Sequence, residues 1–432
     1  MGAKRNILFL LIDCLRADMC FGEERFVKTP TIDRLKEGGT AFTQAISVSA
    51  ATQATVSTML TGVYPFVHGI MMKRHGKRRF GTLNPRCATL PEIIGKNGYH
   101  TYAMVTGPLL RQLGLDRGFE QYLHRAVECD VYSDWGRELL DALRGRTLEE
   151  PWFLFLHLWE LHMPRVVLKP FNSRLYGRNR YERAVSCLDH HLQRILDSVD
   201  LDRTIVLLHG DHGENYDYPP LVLRPLFTRP GRVVNARLGI LRKLRKLRKQ
   251  SWNPHQPKAH IRWISHGDGL YEFLVRVPLI AVGSGLFPEA KIVDSQVSQV
   301  DILPTILDAI GLADRLNQRI HGRSLLPLVK DQSLPERPVI LETRKRMGIR
   351  TPRWKLIVSA SNPDLPELYD LQNDPMEDNN LREGEEGIVR MLEEELRDIE
   401  TLKYPELLAE PSVMSEEDSR LVEKKLRDLG YL

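Results

Sequence analysis

Four short apolar runs, at 7–12, 152–156, 204–208 and 277–282, recur along the chain without the strict alternation of a half-solvated strand. Runs of this length, bounded by polar or turn residues, predict strands buried on both faces. Between them lie "TPTIDRLKEGG", "TLPEIIGKNG" and "YERAVSCLDHHLQRILDSV", whose apolar positions recur at helical spacing and which close on Gly or Asp. Buried strands alternating with helices predict an α/β architecture, a mostly parallel sheet with helices on both faces. From about residue 334 the pattern changes to "PVILETRKRMGIRTPRWKLIVSA" and "ELYDLQNDPMEDNNL", then a helix rich in Glu and Leu. This predicts a catalytic unit over 1–333, with a basic insertion at about 219–263, and a C-terminal α+β subdomain over 334–432 with a small sheet and terminal helices.

The polar residues between these runs are not randomly placed. Asp13 follows the first run, "HLWELHMP" the second and "HGDHGEN" the third. In a parallel sheet, residues after successive strands gather at the carboxyl edge, where ligands bind. Asp13, Asp211 and His212 there offer a partial ligand set for a divalent cation. A strand-end Asp alone is commonly a turn or helix cap. His209, Asp211, His212 and Glu214 within six residues is a density that capping does not need. His162 follows the second run, and His266 precedes a short helix and the fourth run.

Composition changes little: 42% hydrophobic and 27% charged residues are ordinary for a globular chain of 432 residues. Five scattered cysteines without CxxC spacing predict reduced thiols, and no apolar run approaches a membrane span. The first run is too short for a signal peptide and ends in Asp13, so a cytoplasmic location is expected.

Ten segments, in order, resemble the sulfatase branch of the alkaline phosphatase superfamily. They are "NILFLLIDCLRAD", "KTPTIDRLKEGGTAF", "STMLTGVYPFVHGI", "LPEIIGKNGYHTYAM", "FLFLHLWELHMP", "LLHGDHGE", "HGDGLYEFLVRVPLI", "VDILPTILDAIG", "HGRSLLPL" and "ELYDLQNDPMEDNNL". The resemblance implies an alkaline-phosphatase-like fold and a metal site formed by Asp13, Asp211, His212 and the nucleophile. The family's nucleophile lies ten residues before the Gly of "LTG"; counting back from Gly62 gives Thr52. Sulfatases carry Cys or Ser there in C/S-x-P-x-R, for oxidation to formylglycine. This chain has "TQATV", without the Pro or the Arg, and "VTGPLL" in place of the family's "GKWHLG".

A threonine gives no formylglycine aldehyde. Superfamily members that use an unmodified Thr or Ser act on phosphodiesters and phosphonates or transfer phospho groups. The expectation is therefore a metal-dependent hydrolase of phosphate diesters or phosphonate monoesters, working through a phospho-threonine. Thr52 should open a helix, whose unpaired amides and dipole favour an anion. His162 and His266 match family positions that contact substrate oxygens or serve the leaving group, and His68 and Thr106 are further substrate-binding candidates. Cys14 stands where many sulfatases have a second Asp, so the resemblance implies one ligand fewer. One ion (Mn, Zn, Ca or Mg) is expected rather than two, since Leu158 occupies the place of the Asp in the two-metal D-x-x-x-H pair.

Within the basic insertion Leu238, Leu241, Leu244 and Leu247 are separated mostly by Arg and Lys. Two readings stand: a solvated helix over the core, or a cationic face at 232–250 that contacts an anionic membrane or polyanion, with lipid headgroup phosphoesters as substrates. Competing functions are a sulfatase without formylglycine, a phospho-group transferase to a sugar or lipid acceptor, and a non-catalytic binding protein on this scaffold.

Overall fold

The computed structural model describes residues 4–22, 25–70, 81–145, 147–216, 267–398, 402–407 and 414–428. In chain order, β1 is Asn6–Ile12, α1 Pro30–Glu37, β2 Thr40–Ile46, α2 Thr52–Thr61, α3 Pro65–His68, α4 Leu90–Gly95, β3 His100–Val105 and β4 Gln121–His124. Then follow α5 Asp134–Arg144, β5 Trp152–Leu158, α6 Arg180–Leu196, β6 Thr204–Gly210, α7 Glu272–Val275, β7 Arg276–Val282, β8 Lys291–Val293, β9 Val297–Ser298 and α8 Ile302–Ala309. These strands form a nine-stranded sheet in the order β4-β3-β5-β1-β6-β7-β2-β8, with β9 also on β2.

β4, β3, β5, β1 and β6 run parallel, and β7 is antiparallel to both its neighbours. The chain enters β7 from the carboxyl end of β6, where the Gly213 amide donates to the Leu274 carbonyl at 2.7 Å. It can then only run back. All four apolar runs are strands, and the three helical patterns are α1, α4 and α6.

The unbroken apolar runs are explained by two cores. Ile7, Phe9 and Leu11 of β1 pack in one with Val56, Met59 and Leu60 of α2. Leu8, Leu10 and Ile12 pack in the other with helices α1, α5 and α6. Successive side chains of a strand point to opposite faces, so a strand covered on both must be apolar throughout.

A second, antiparallel sheet joins β10 Val339–Glu342, β11 Arg346–Arg350, β12 Trp354–Ser359 and β13 Asn362–Asp370, followed by α9 Glu386–Arg397 and α10 Glu416–Asp428. It docks on the main unit through a buried ion cluster. Lys355, fully buried on β12, lies 2.6 Å from Glu272 Oε1 and 2.8 Å from Glu377 Oε1. Arg350 makes a two-pronged contact with Glu272 at 2.9 Å on each side.

Glu342, at the end of β10, is a local liability. Burial pushes its carboxyl up to about 7 against an ordinary 4.5, with the Lys403 charge opposing. Its Oε2 has no hydrogen-bond partner among the described residues. An acid whose pKa is raised by folding binds more protons in the native state, so its contribution to stability falls as pH rises from about 4.5 through about 7. Glu342→Gln should therefore stabilise the fold by on the order of 2 kcal/mol at pH 8 and by little at pH 5. Urea melts at the two pH values check this; an equal effect at both would contradict it.

Candidate active site

Parallel pairing sets the site. Ile12 at the end of β1 is opposite both Leu158 of β5 and Gly210 of β6, so the three strands finish together. The ladder continues one residue further, with the Asp13 amide donating to the Leu158 carbonyl at 2.8 Å. In-out alternation then carries Asp13 to the face of Ile7, Phe9 and Leu11, which is the face that α2 covers.

Thr52 is the first residue of α2, preceded by Ala51 in extended backbone. Ala51 supplies no side-chain cap; its carbonyl accepts from the Ala54 and Thr55 amides at 3.0 and 3.1 Å, and the positive end of the helix dipole at Thr52 favours an anion. All ten residues of α2 are buried, and Gly62 ends it at φ 71°. Only glycine adopts that left-handed cap without strain.

The Thr52 hydroxyl donates to Asp13 Oδ2 at 3.2 Å and lies 3.3 Å from His212 Nε2. His212 Nδ1 is 2.8 Å from the Gly213 carbonyl. Donation there fixes the tautomer and turns the Nε2 lone pair toward Thr52 and the carboxylates. Asp211 accepts from the Cys14 amide at 2.9 Å, and its Oδ2 is 3.4 Å from His212 Nε2. The structure thus brings Asp13, Thr52, Asp211 and His212 together.

Their electrostatics call for a cation. Burial alone would raise the carboxyl of Asp13; hydrogen bonding to His157 and the charges of His162, His212 and His157 instead hold it well below the usual carboxylate range. Asp211 moves up, through burial first and then the Asp13 charge. Asp13 Oδ1 and Asp211 Oδ2 are fully buried and have no hydrogen-bond partner among the described residues. Such groups are costly to bury unless something compensates. Asp13, Cys14 and His212 present ligand atoms within 4.8 Å of one another, as do Asp13, His157 and Asp211. Two carboxylates with imidazole fit a divalent cation.

The other sequence candidates divide. His162 is buried on the loop after β5, stacked on Trp159 at 3.9 Å and 2.8 Å from the Met163 carbonyl through Nδ1. Its charge is among those that lower the Asp13 carboxyl. Gly107, at φ 65°, is what lets Trp159 sit there, since a Cβ would lie 2.5 Å from the indole. His68 turns elsewhere: Nδ1 accepts from the Ile70 amide at 3.3 Å and Nε2 lies 3.1 Å from Thr58 Oγ1. Burial lowers its imidazole to about 3, so it stays neutral and ties α3 to α2. Thr106 donates to the Arg125 carbonyl at 2.9 Å. The bonds of His68 to Thr58 and Ile70, and of Thr106 to Arg125, do not reach Thr52. His266 lies outside the described residues. His209 bonds the Pro278 carbonyl, and Glu214 pairs with Arg165 at 2.7 Å.

Two residues were not singled out from the sequence. His157 lies within β5 opposite Leu11, with Nε2 3.4 Å from Asp13 Oδ2. Its signal was available: a lone imidazole inside the apolar run "FLFLHL". Gln299 accepts from the Val48 amide at 3.1 Å and donates to the Asp211 carbonyl at 2.7 Å, tying the approach to α2 to the Asp211 turn. Nothing in the spacing of "VSQVD" points to it.

This fold and site define a hydrolase of ester bonds with a metal-dependent centre. The family model described as sulfatase matches residues 5–312, and one described as N-sulphoglucosamine sulphohydrolase, C-terminal, matches 268–402. The chain belongs to the sulfatase family. It is 34% identical to arylsulfatase K of Mus musculus over 464 aligned residues, covering 94% of this chain and 80% of that protein. Among solved structures it is similar to a 2-O GAG sulfatase, with TM-score 0.67, 18% identity and 96% of each chain covered. It is also similar to the phosphonate monoester hydrolase of Agrobacterium radiobacter, with TM-score 0.65, 17% identity, and 93% of this chain and 96% of that one covered. No helix among the described residues is long and apolar enough to cross a membrane.

Proposed function

We propose that this sulfatase-family enzyme hydrolyses phosphate diesters or phosphonate monoesters through a covalent phospho-threonine on Thr52. The observation that carries the reading is an unmodified threonine hydroxyl at a helix N-terminus, 3.2 Å from Asp13 and 3.3 Å from His212. The similarity in fold to a phosphonate monoester hydrolase supports it. The names of the arylsulfatase relatives support a second reading, sulfate-ester hydrolysis without formylglycine.

Asp13, Asp211 and His212 would hold the cation, which supplies positive charge beside the nucleophile and the transferring group. Substrate oxygens lie against the amides at the start of α2. The Thr52 hydroxyl, oriented by its hydrogen bond to Asp13 Oδ2, gives its proton to solvent as the Thr52 Oγ1–P bond forms and the P–O bond to the leaving group breaks. His162 hands a proton to the departing oxygen. Water then attacks phosphorus, its proton passing to His162 as the new O–P bond forms, and the Oγ1–P bond breaks, Thr52 Oγ1 taking a proton back from solvent.

A panel of aryl phosphate mono- and diesters, aryl phosphonate esters and aryl sulfates, each with Mn2+, Zn2+, Mg2+ or Ca2+, tests the reading. Diesters or phosphonate esters should exceed aryl sulfates in kcat/KM by about 10²-fold, a difference of about 2.7 kcal/mol in transition-state stabilisation. Aryl sulfates turned over fastest would favour the second reading instead. The basic segment 232–250 lies outside the described residues. We keep it as the surface for an anionic membrane or polyanion, and liposome flotation unchanged by its deletion would remove that part.

A further inference from the structure

We propose that Cys14 is a sulfur ligand of the cation, so that the centre prefers a thiophilic ion such as Zn2+ over Mg2+ or Ca2+. The proposal rests on the pocket being a cation site and is independent of which ester is cleaved. Cys14 is fully buried, and its Sγ lies with a carboxylate oxygen of Asp13 and a ring nitrogen of His212, all within 4.8 Å of one another. Asp13 Oδ1, also fully buried, has no hydrogen-bond partner among the described residues. The carboxylate beside the thiol is therefore a donor in need of a cation.

Backbone geometry aims the sulfur. Cys14 has φ 61°, the left-handed region that costs an L-residue roughly 1–2 kcal/mol. It is pinned there from both sides, its amide donating to Asp211 Oδ1 at 2.9 Å and its carbonyl accepting from the Tyr181 hydroxyl at 2.7 Å. A cysteine serving only as a small apolar filler, in the core it shares with Leu15 and Ile12, needs neither that conformation nor those neighbours. A sulfur atom beside the Asp13 carboxylate and the His212 imidazole makes a mixed S/N/O donor set, and soft donors select Zn2+ and its neighbours over Mg2+ and Ca2+. On binding, the S–H bond is replaced by an S–metal bond and its proton goes to solvent.

The test uses Co2+ as an optical probe added to metal-free full-length protein. Wild type should bind one equivalent and show a near-ultraviolet sulfur-to-cobalt charge-transfer band. Cys14→Ser should bind Co2+ without that band, and its Zn2+/Mg2+ affinity ratio should fall at least about tenfold. Should the Ser variant not fold, Cys14→Asp, which keeps an oxygen donor in place, should bind Co2+ without the band. Stoichiometric Co2+ in wild type without the band, or an undiminished band in either variant, overturns the sulfur ligand and leaves the cation site standing. No Co2+ binding by wild type overturns both.

Discussion

Thr52→Ala should abolish turnover, lowering kcat on the best ester of the panel by about 10³-fold or more. The Oγ1 is the only group of that residue that can form the covalent bond. Its loss removes a step rather than a contact, which is why the expected effect far exceeds that of a lost hydrogen bond. The fold should persist, because alanine is the strongest helix former and Thr52 is the first residue of α2. Thr52→Ser, which keeps the hydroxyl, should retain measurable activity. Acid-quenched wild type should carry phosphate on the peptide containing Thr52, read by mass spectrometry. Full turnover of every substrate by Thr52→Ala would show that the nucleophile lies elsewhere.

The largest effect on stability should come from Lys355→Met. The ammonium is fully buried between Glu272 and Glu377, and the two carboxylates respond in opposite directions. Glu377 is raised to about 7 by burial, with Lys355 pulling it down and Glu272 pushing it up. Burial would raise Glu272 too, but Arg350 and Lys355 hold it well below the ordinary range. Removing the ammonium leaves Glu377 buried beside another carboxylate, a loss of about 3–5 kcal/mol. Arg350 still serves Glu272, so the damage falls on Glu377. Glu377→Gln in the same chain should restore part of the loss. Chemical denaturation of the single and double variants measures both, and a loss below about 1 kcal/mol would mean that solvent reaches the cluster.

The architecture was legible because buried parallel strands have a signature that survives without structure: short, unbroken apolar runs with polar residues at one end. That Asp13, Asp211 and His212 gather at one edge of the sheet was legible for the same reason, since polar residues that follow parallel strands share an edge. That Thr52 lies beside them was legible only through the spacing to Gly62. His157 was missed because a strand interior reads as core, and only the pairing of β5 with β1 shows that its last inward position faces Asp13. Gln299 was missed because its partners, Val48 and the Asp211 carbonyl, lie 251 and 88 residues away from it in the chain. His68 followed the family-like turn "YPFVHG", but a histidine there is equally suited to lock two helices, and its bonds to Thr58 and Ile70 show that use. The ion cluster around Lys355 left no trace in the sequence, because each member reads alone as an exposed charge.

The complete burial of α2 has an evolutionary consequence. A hydroxyl carried on a helix with no solvent-facing side cannot be re-aimed by surface substitutions, since any shift of the helix disturbs the core beneath it. On the proposed reading of Thr52 as nucleophile, divergence in substrate range then falls to the segments that surround the pocket. A lineage built this way can explore new esters through its loops and insertions while the Thr52 hydroxyl stays where the core holds it.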